Sequence, residues 1–177
     1  MSDHTSGQLV VFSLGTEEYA LPISYVHEII RWTEPRAVAS EDPSVCGVIS
    51  LRGKILPVFD LATRLGLTSA RSDRAKIVIV ERDGSMAGVV VDDVEEVLTL
   101  EDGQLDKDGG SGVSGDCIEA IAKIKDRLVV LLSPEHIVAS GAEAQRAAAA
   151  AAAEIAVAAE SATAAAEDAR LVEPVAA

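Results

Sequence analysis

The stretch from Gly47 to Leu67, GVISLRGKILPVFDLATRLGL, limits the folds open to this chain more than any other segment. Its pattern predicts a strand, a tight turn, a second strand and a short helix. Ile49 and Leu51 share one face of the first strand, because side chains alternate across a pleat. Gly53 can adopt the positive φ that a reversing chain needs. Arg52 is therefore expected at the tip of a hairpin, pointing away from the apolar face.

The second strand, Ile55 to Phe59, contains Pro57. Proline cannot donate a ladder hydrogen bond and is confined to edge strands, strand starts and bulges. We therefore expect one side of this strand to lack a neighbour in its own sheet, which leaves an apolar edge that something must cover. Asp60 is expected to cap a short helix that ends at Leu65 and Gly66.

Two runs within this stretch resemble the signature of the CheW family of chemotaxis coupling proteins, which reads Gly-Val-x-Asn-Leu-Arg-Gly and then Pro-Val-x-Asp-Leu. The matching runs are Gly47 to Gly53 and Pro57 to Leu61, with Ser50 where asparagine is commonest in the family. The resemblance extends over Gln8 to Ser140 and excludes the rest of the chain.

The resemblance implies a pair of five-stranded β-barrels with a groove between them. It implies a non-catalytic, cytoplasmic adaptor, recruited to membrane receptor arrays, whose partners are a CheA-type histidine kinase and methyl-accepting chemoreceptors. The first barrel would carry a kinase contact near Arg52 to Val58, and the groove would receive the helices of the receptor tips. Because family members pair a glutamate with the signature arginine, Glu28 is expected to contact Arg52.

Turn signals between short β-rich runs predict further hairpins and an all-β fold. The predicted hairpins join Gln8–Leu14 to Glu18–Leu21, flank the turn Arg82 to Ser85, and join Ile118–Lys125 to Arg127–Leu132. The segment Ser24 to Trp32 fits either a helix or a strand, and the broken alternation from Val91 to Leu98 predicts a bulge or a corner. Many short strands indicate two small barrels or one sandwich, and the resemblance favours two barrels.

The sequence divides into a flexible N-terminal arm, a folded domain and an alanine-rich tail. We place the arm at residues 1–7, the CheW-like domain at residues 8–140 and the tail at residues 141–177. From Ala142 to Ala177, nineteen of 36 residues are alanine. Alanine has the best helix propensity, so the tail is expected to be helical or disordered. Its methyl groups bury little apolar area, so we expect the tail to stay detached from the domain.

Charge and composition exclude several classes of function. The formal net charge of −14 disfavours nucleic acid and anionic membranes, both of which bind clustered Lys and Arg. Cys46 and Cys117 are isolated, so we predict reduced thiols and no metal site. The acidic run from Asp92 to Asp102 lacks the ligand spacing of a calcium loop, and no nucleophile with its base is visible. We therefore predict no enzymatic activity, no cofactor and no membrane insertion.

The predicted partner-binding residues lie in the signature and in the segment before it: Glu28, Arg52, Gly53, Ile55, Pro57, Val58, Val26 and Ile30. The alternative is that Glu28 and Arg52 are ordinary surface charges, since an exposed pair contributes only about 0–1 kcal/mol, but the interface preference of arginine and the resemblance favour a functional pair. Val26 and Ile30 could be core residues, and they share a face with Glu28 only if their segment is a strand. The run Lys76 to Val80 is apolar on both faces, which means either full burial or a face covered by a partner.

Two other functions remain compatible with the sequence. One is a small β-barrel enzyme or ligand carrier that shares the fold, and the other is a CheW-like domain in another signalling context, as in CheV proteins.

The charge is also uneven along the chain. Residues 1–80 hold nine acidic and eight basic residues, whereas residues 81–141 hold fourteen and five.

Overall fold

The computed structural model describes residues 7–68, 70–106 and 117–139. The strands are β1 (Gln8–Leu14), β2 (Glu17–Pro22), β3 (Val26–Arg31), β4 (Val45–Leu51), β5 (Lys54–Asp60), β6 (Lys76–Arg82), β7 (Ser85–Val91), β8 (Asp93–Thr99), β9 (Leu105–Asp106), β10 (Ile118–Ile124) and β11 (Arg127–Leu132). The helices are α1 (Leu61–Arg64) and α2 (Pro134–Ala139), and a 3-10 turn over Ile23–Tyr25 precedes β3. The predictions for residues 1–6 of the arm and for the tail at residues 141–177 fall outside the described residues.

The strands form two sheets. The first has the order β8-β1-β2-β11-β10-β9, and the second has the order β3-β6-β7-β5-β4. Neighbouring strands are antiparallel except for β2 with β11 and β5 with β7, which are parallel. The three further hairpins predicted from the sequence are present as β1–β2, β6–β7 and β10–β11. This arrangement confirms the all-β fold of two small units, with the two-residue strand β9 as a sixth member of the first sheet.

Central strands are buried on both faces because each sheet packs against two hydrophobic clusters. In β6, Ile77 and Ile79 belong to a cluster formed by the second sheet alone. Val78 and Val80 alternate with them and belong to a larger cluster that both sheets share. All four side chains are 0% exposed. The apolar run in β6 is therefore fully buried within the protein, and its second face needs no partner to cover it.

The prediction for the strand that contains Pro57 is wrong, because β5 has a neighbour on each side. Its parallel pairing with β7 begins only at Val58 and ends at Asp60. On the other side Pro57 lies opposite Val48, whose backbone groups bond to Arg36 instead of β5. Pro57 therefore lies just before the parallel ladder and outside the antiparallel hydrogen bonds. A proline fits this interior strand because no ladder bond needs its missing N–H.

The irregular acidic segment forms a corner between the sheets, as its broken alternation predicts. β7 and β8 belong to different sheets, and the chain crosses at Asp92, which separates them. Consecutive residues of β1 then pair with Glu96 and Val94 of β8, which leaves Glu95 as the extra residue of a bulge. The bulge bends β8 and interrupts its regular alternation. A side-chain oxygen of Asp92 accepts a hydrogen bond from the backbone N–H of Gly15 at 2.6 Å, which fixes the corner.

The two helices each begin directly after a polar residue. One side-chain oxygen of Asp60 accepts the backbone N–H groups of Ala62 and Thr63 at 3.1 and 3.4 Å, so Asp60 caps α1. α2 starts at Pro134, directly after Ser133. It packs the fully buried side chain of Ile137 into the shared cluster. Both helices thus cover the core instead of forming a separate layer.

Candidate functional site

The turn between β4 and β5 presents Arg52 to solvent. Arg52 and Gly53 both have positive φ values, of 50° and 80°, as in the two-residue hairpin turns that match the strand twist. The predicted positive φ of Gly53 is therefore confirmed, and Arg52 shares this conformation. The side chain of Arg52 is 76% exposed. The hairpin thus holds a guanidinium at its tip, away from the apolar face of β4.

Glu28 lies on β3 and contacts the guanidinium of Arg52. Its Oε2 accepts a hydrogen bond from Nη2 of Arg52 at 3.3 Å, which confirms the predicted pairing. The Glu28 side chain is only 22% exposed. Its second oxygen, Oε1, is buried and has no hydrogen-bond partner among the described residues. A buried and unsatisfied carboxylate oxygen is costly, so the position of Glu28 imposes a cost on the fold that an ordinary surface charge does not.

A bulge in β3 separates Glu28 from Val26. The segment is a strand, and Val26, Glu28 and Ile30 are half-buried while the residues between them are exposed. However, the register of β3 with β6 shifts between Val26 and Glu28. Val26 therefore packs against the cluster shared by the two sheets, whereas Ile30 packs against the cluster of the second sheet. Val26 and Ile30 are thus partly core residues. Ile79, the ladder partner of Glu28, belongs to the same cluster as Ile30 and not to the cluster of Val26.

Glu28 and Arg52 meet because the second sheet curls until its two edges approach each other. The edges are β3 and β4. The segment after β3 crosses to β4, where Arg36 and Val48 exchange two backbone hydrogen bonds of 2.8 and 2.9 Å. Gly47 permits this closure, because a Cβ atom there would lie 2.2 Å from the carbonyl oxygen of Arg36. The first glycine of the signature therefore closes the sheet and brings the pair together.

The remaining signature residues differ in what a partner could touch. Gly53 is exposed, and Ile55 is half-buried against Val48. Pro57 is buried, and Val58 is 0% exposed within the cluster of the second sheet. Neither Pro57 nor Val58 exposes its side chain, and their assignment to a partner contact stays a prediction.

Arg127, at the start of β11, provides a contrast with Arg52. Its Nε and Nη2 donate to Glu18 at 2.9 and 2.6 Å, and its Nη1 donates to Glu96 at 2.6 Å. These hydrogen bonds raise the pKa of Arg127 above its ordinary value, because they favour the charged form. The sequence carries no local signal for this cluster, whose carboxylates are 109 and 31 residues away from Arg127 along the chain.

Other candidate chemistry is absent from the described residues or serves the fold. Asp93, in the acidic run, pairs with Arg74 at 3.0 Å. In the part of the chain that the structure describes, no group of three or more His, Cys, Asp or Glu residues could hold a metal ion. Cys46 and Cys117 are free thiols. Burial, with a further contribution from Asp60, raises the pKa of Cys46, which disfavours the reactive thiolate.

Two sheets over a shared core, with an arginine presented at a hairpin tip, define a small all-β interaction domain. No helix within the described ranges is long and apolar enough to span a membrane. Known relatives identify the particular family. A family model described as a CheW-like domain matches residues 8–142.

Individual relatives agree with this match. A chemotaxis protein CheW from Bacillus subtilis is 31% identical over 138 residues, which cover 76% of this chain and 88% of that protein. A chemotaxis protein CheW from Rhizobium meliloti is 29% identical over 136 residues, which cover 75% of this chain and 88% of that protein. The crystal structure of the scaffolding protein TtCheW from Thermoanaerobacter tengcongensis matches with a TM-score of 0.67 and 33% identity, over 72% of this chain and 89% of that chain.

The chain belongs to the CheW family. It is a chemotaxis adaptor, and like the scaffolds of this family it is not an enzyme. The alternative of a β-barrel enzyme that shares only the fold is therefore wrong.

Proposed function

We propose that this adaptor couples the cytoplasmic tips of methyl-accepting chemoreceptors to a CheA-type histidine kinase in a signalling array. Family membership supports a role in chemotaxis, and the relatives are described as chemotaxis and scaffolding proteins. The kinase contact is assigned to the hairpin that carries Arg52, Gly53 and Ile55, with Glu28 beneath it. The protein would act in the cytoplasm, where receptor tips and kinase meet.

The contrast between Arg52 and Arg127 carries this assignment. Arg127 uses three nitrogen atoms on two carboxylates and is 42% exposed. Arg52 uses one nitrogen atom in one contact of 3.3 Å and is 76% exposed. The planar guanidinium binds carboxylates and carbonyl groups with several parallel bonds, and arginine is enriched at protein interfaces. Glu28 therefore orients the guanidinium of Arg52 through Nη2, and most of the other donors of Arg52 are left for a partner.

The receptor contact, expected in a groove between the two units, is assigned to a depression on the second sheet beside their shared cluster. An open, polar depression lies where β3 begins and β6 turns into β7, lined by Ser24, Tyr25, Val26, His27, Glu81, Arg82 and Asp83. Tyr25 and Val26 also pack against the cluster that the two sheets share. His27 Nδ1 lies 2.9 Å from Glu81 at the rim of this depression. This end of the second sheet thus offers both apolar and charged groups to a receptor helix.

The kinase assignment is tested by measuring the dissociation constant of the cognate kinase with three full-length variants. Arg52→Ala should weaken binding about tenfold, or by about 1.4 kcal/mol, because arginine is enriched among the interface residues whose truncation is costly. Arg52→Lys should restore little of it, since an ammonium cannot form the same parallel bonds. Arg127→Ala is the matched control, because it removes an arginine whose donors are already used within the chain.

Thermal melting separates loss of binding from loss of fold. Arg52→Ala should retain its melting temperature, since exposed substitutions usually change stability by less than about 0.5 kcal/mol. Arg127→Ala should lower the melting temperature while kinase binding by the folded protein stays intact. Normal binding of Arg52→Ala to kinase and receptor fragment would contradict the assignment, and Arg52 would then be a solvated turn charge.

A further inference from the structure

Two cations face each other where β3 ends and β6 begins. Arg31 and Lys76 are Cα partners in the last pair of this ladder. Like charges directly opposite each other weaken a sheet. Among the described residues, neither side chain forms an ion pair with a carboxylate. Lys76 Nζ donates to the carbonyl oxygen of Arg74 at 3.1 Å, which holds the ammonium in place.

A third cation lies at the same end of the sheet. The guanidinium of Arg71 covers the ring of Trp32 at 3.7 Å from its centroid. Trp32 directly follows Arg31, and its backbone N–H donates to Ala75 at 3.1 Å. Arg71 is exposed and forms no ion pair with the described residues. Stacking on an indole orients a guanidinium while its edge donors remain available for an anion.

The acidic groups nearby do not neutralise this end of the sheet. Asp93 is already paired with Arg74. Asp60 and Asp92 line a small cavity together with Arg71, so Arg71 is partly compensated. Asp73 is exposed in the loop that joins these elements. Arg31 and Lys76 therefore remain as adjacent cations on a protein with a net charge of −14.

We propose that Arg31, Lys76 and Arg71 form a docking surface for an acidic segment of a partner protein. A local repulsion that the fold tolerates is offset when carboxylates bind between the cations. The large negative charge of the whole chain repels extended polyanions, so a short acidic peptide segment fits better than a nucleic acid or an anionic membrane. Arg31 lies three residues beyond Glu28, about 10 Å along the strand, so this surface differs from the Arg52 hairpin.

The test uses the full chain and a fluorescently labelled hexaglutamate peptide. Binding is followed by anisotropy of the label and independently by emission of Trp32, the sole tryptophan of the protein. The peptide should bind at low ionic strength and weaken markedly at about 0.15 M salt. The double variant Arg31→Gln, Lys76→Gln should bind about tenfold more weakly. The matched control is Lys123→Gln, Lys125→Gln on the β10–β11 hairpin, which removes the same charge elsewhere and should change binding less than about twofold.

Three outcomes would overturn the proposal. The first is no binding of hexaglutamate to the wild-type chain by either readout at low ionic strength. The second is equal weakening in both double variants, which would mean diffuse attraction without a defined surface. The third is tighter binding of duplex DNA or phosphatidylglycerol vesicles than of hexaglutamate through the same residues, which would assign the surface to another class of partner. Circular dichroism of each variant confirms that the compared proteins are folded.

Discussion

The two glycines of the signature, Gly47 and Gly53, are under different constraints. Gly47 has a φ of 144°, and a Cβ atom there would meet the backbone of Arg36 at 2.2 Å. Gly53 has a φ of 80°, but a Cβ atom there would meet nothing within 4 Å. The first glycine is required both by its positive φ and by a close approach of two backbone segments, and the second only by the positive φ of the turn. Position 47 therefore adds a steric clash to the conformational strain that both positions share.

Gly47→Ala should destabilise the protein by about 3 kcal/mol or more, because the new methyl group forces the Arg36 segment away from β4. Gly53→Ala is the control and should cost only about 1 kcal/mol, since it adds strain at a positive φ without a clash. Urea denaturation measures both values. Equal costs at the two positions would show that the contact with Arg36 does not limit the residue at position 47.

Glu28 and Arg52 should behave as one unit in kinase binding. If the carboxylate orients the guanidinium, Glu28→Ala should weaken binding about as much as Arg52→Ala. The double variant should then lose little more than either single variant, since residues of one network are not additive. Dissociation constants of the four proteins complete the cycle. Losses that simply add would show that the two side chains act separately, despite their 3.3 Å contact.

At the scale of elements, the sequence predicts strands and turns well where a pattern depends on neighbours in the chain. The hairpins, the cap at Asp60 and the corner at Asp92 follow from local rules. The interior position of the strand that contains Pro57 does not follow from a local rule. The proline rule concerns one missing N–H, and the ladder between β5 and β7 spans only Val58 to Asp60, so it does not need that N–H. The choice between helix and strand for β3 likewise depends on its pairing with β6. The Arg127 cluster does not follow from a local rule either, because it joins three strands that are distant in the sequence.

The turn before β4 should lose stability in acid. Oδ1 of Asp42 accepts hydrogen bonds from the hydroxyl and the backbone N–H of Ser44, at 2.6 and 2.8 Å. The hydroxyl bond is the main cause that lowers the pKa of Asp42. A carboxyl with a lowered folded-state pKa stabilises the fold above its unfolded pKa of about 3.9. This stabilisation is lost as the pH falls through the folded-state pKa.

Ser44→Ala should therefore raise the pKa of Asp42. The variant should then lose less stability than the wild type when the solution is acidified. Carbon NMR of the Asp42 carboxyl group measures the pKa, and urea unfolding on both sides of about pH 4 measures the stability. Ser40→Ala is the control, because the Ser40 hydroxyl bonds to the backbone N–H of Asp42 at 3.2 Å and not to its carboxylate. A similar pKa shift in both variants would contradict the role of the Ser44 hydroxyl.

At the scale of the whole molecule, the two sheets depend on each other. Each has its own hydrophobic cluster, but the largest cluster contains side chains from both. Two contacts also cross between the units: α2 follows the first sheet and packs on β6 and β7, and Arg82 of β6 pairs with Glu135 of α2. We expect the two units to unfold together, because separating them exposes the shared cluster.

An alanine-rich segment follows the part of the chain that forms this shared core. The family match ends at residue 142, and nineteen of the 36 residues beyond Gly141 are alanine. Burying a methyl group gains little compared with the entropy of ordering a chain. Deleting residues 142–177 should therefore shift the melting temperature by less than about 2 °C. Ile137→Ala, which empties a fully buried site in α2, is the positive control and should lower it by at least about 6 °C. A drop after deletion as large as that of the control would show that the tail packs on the domain.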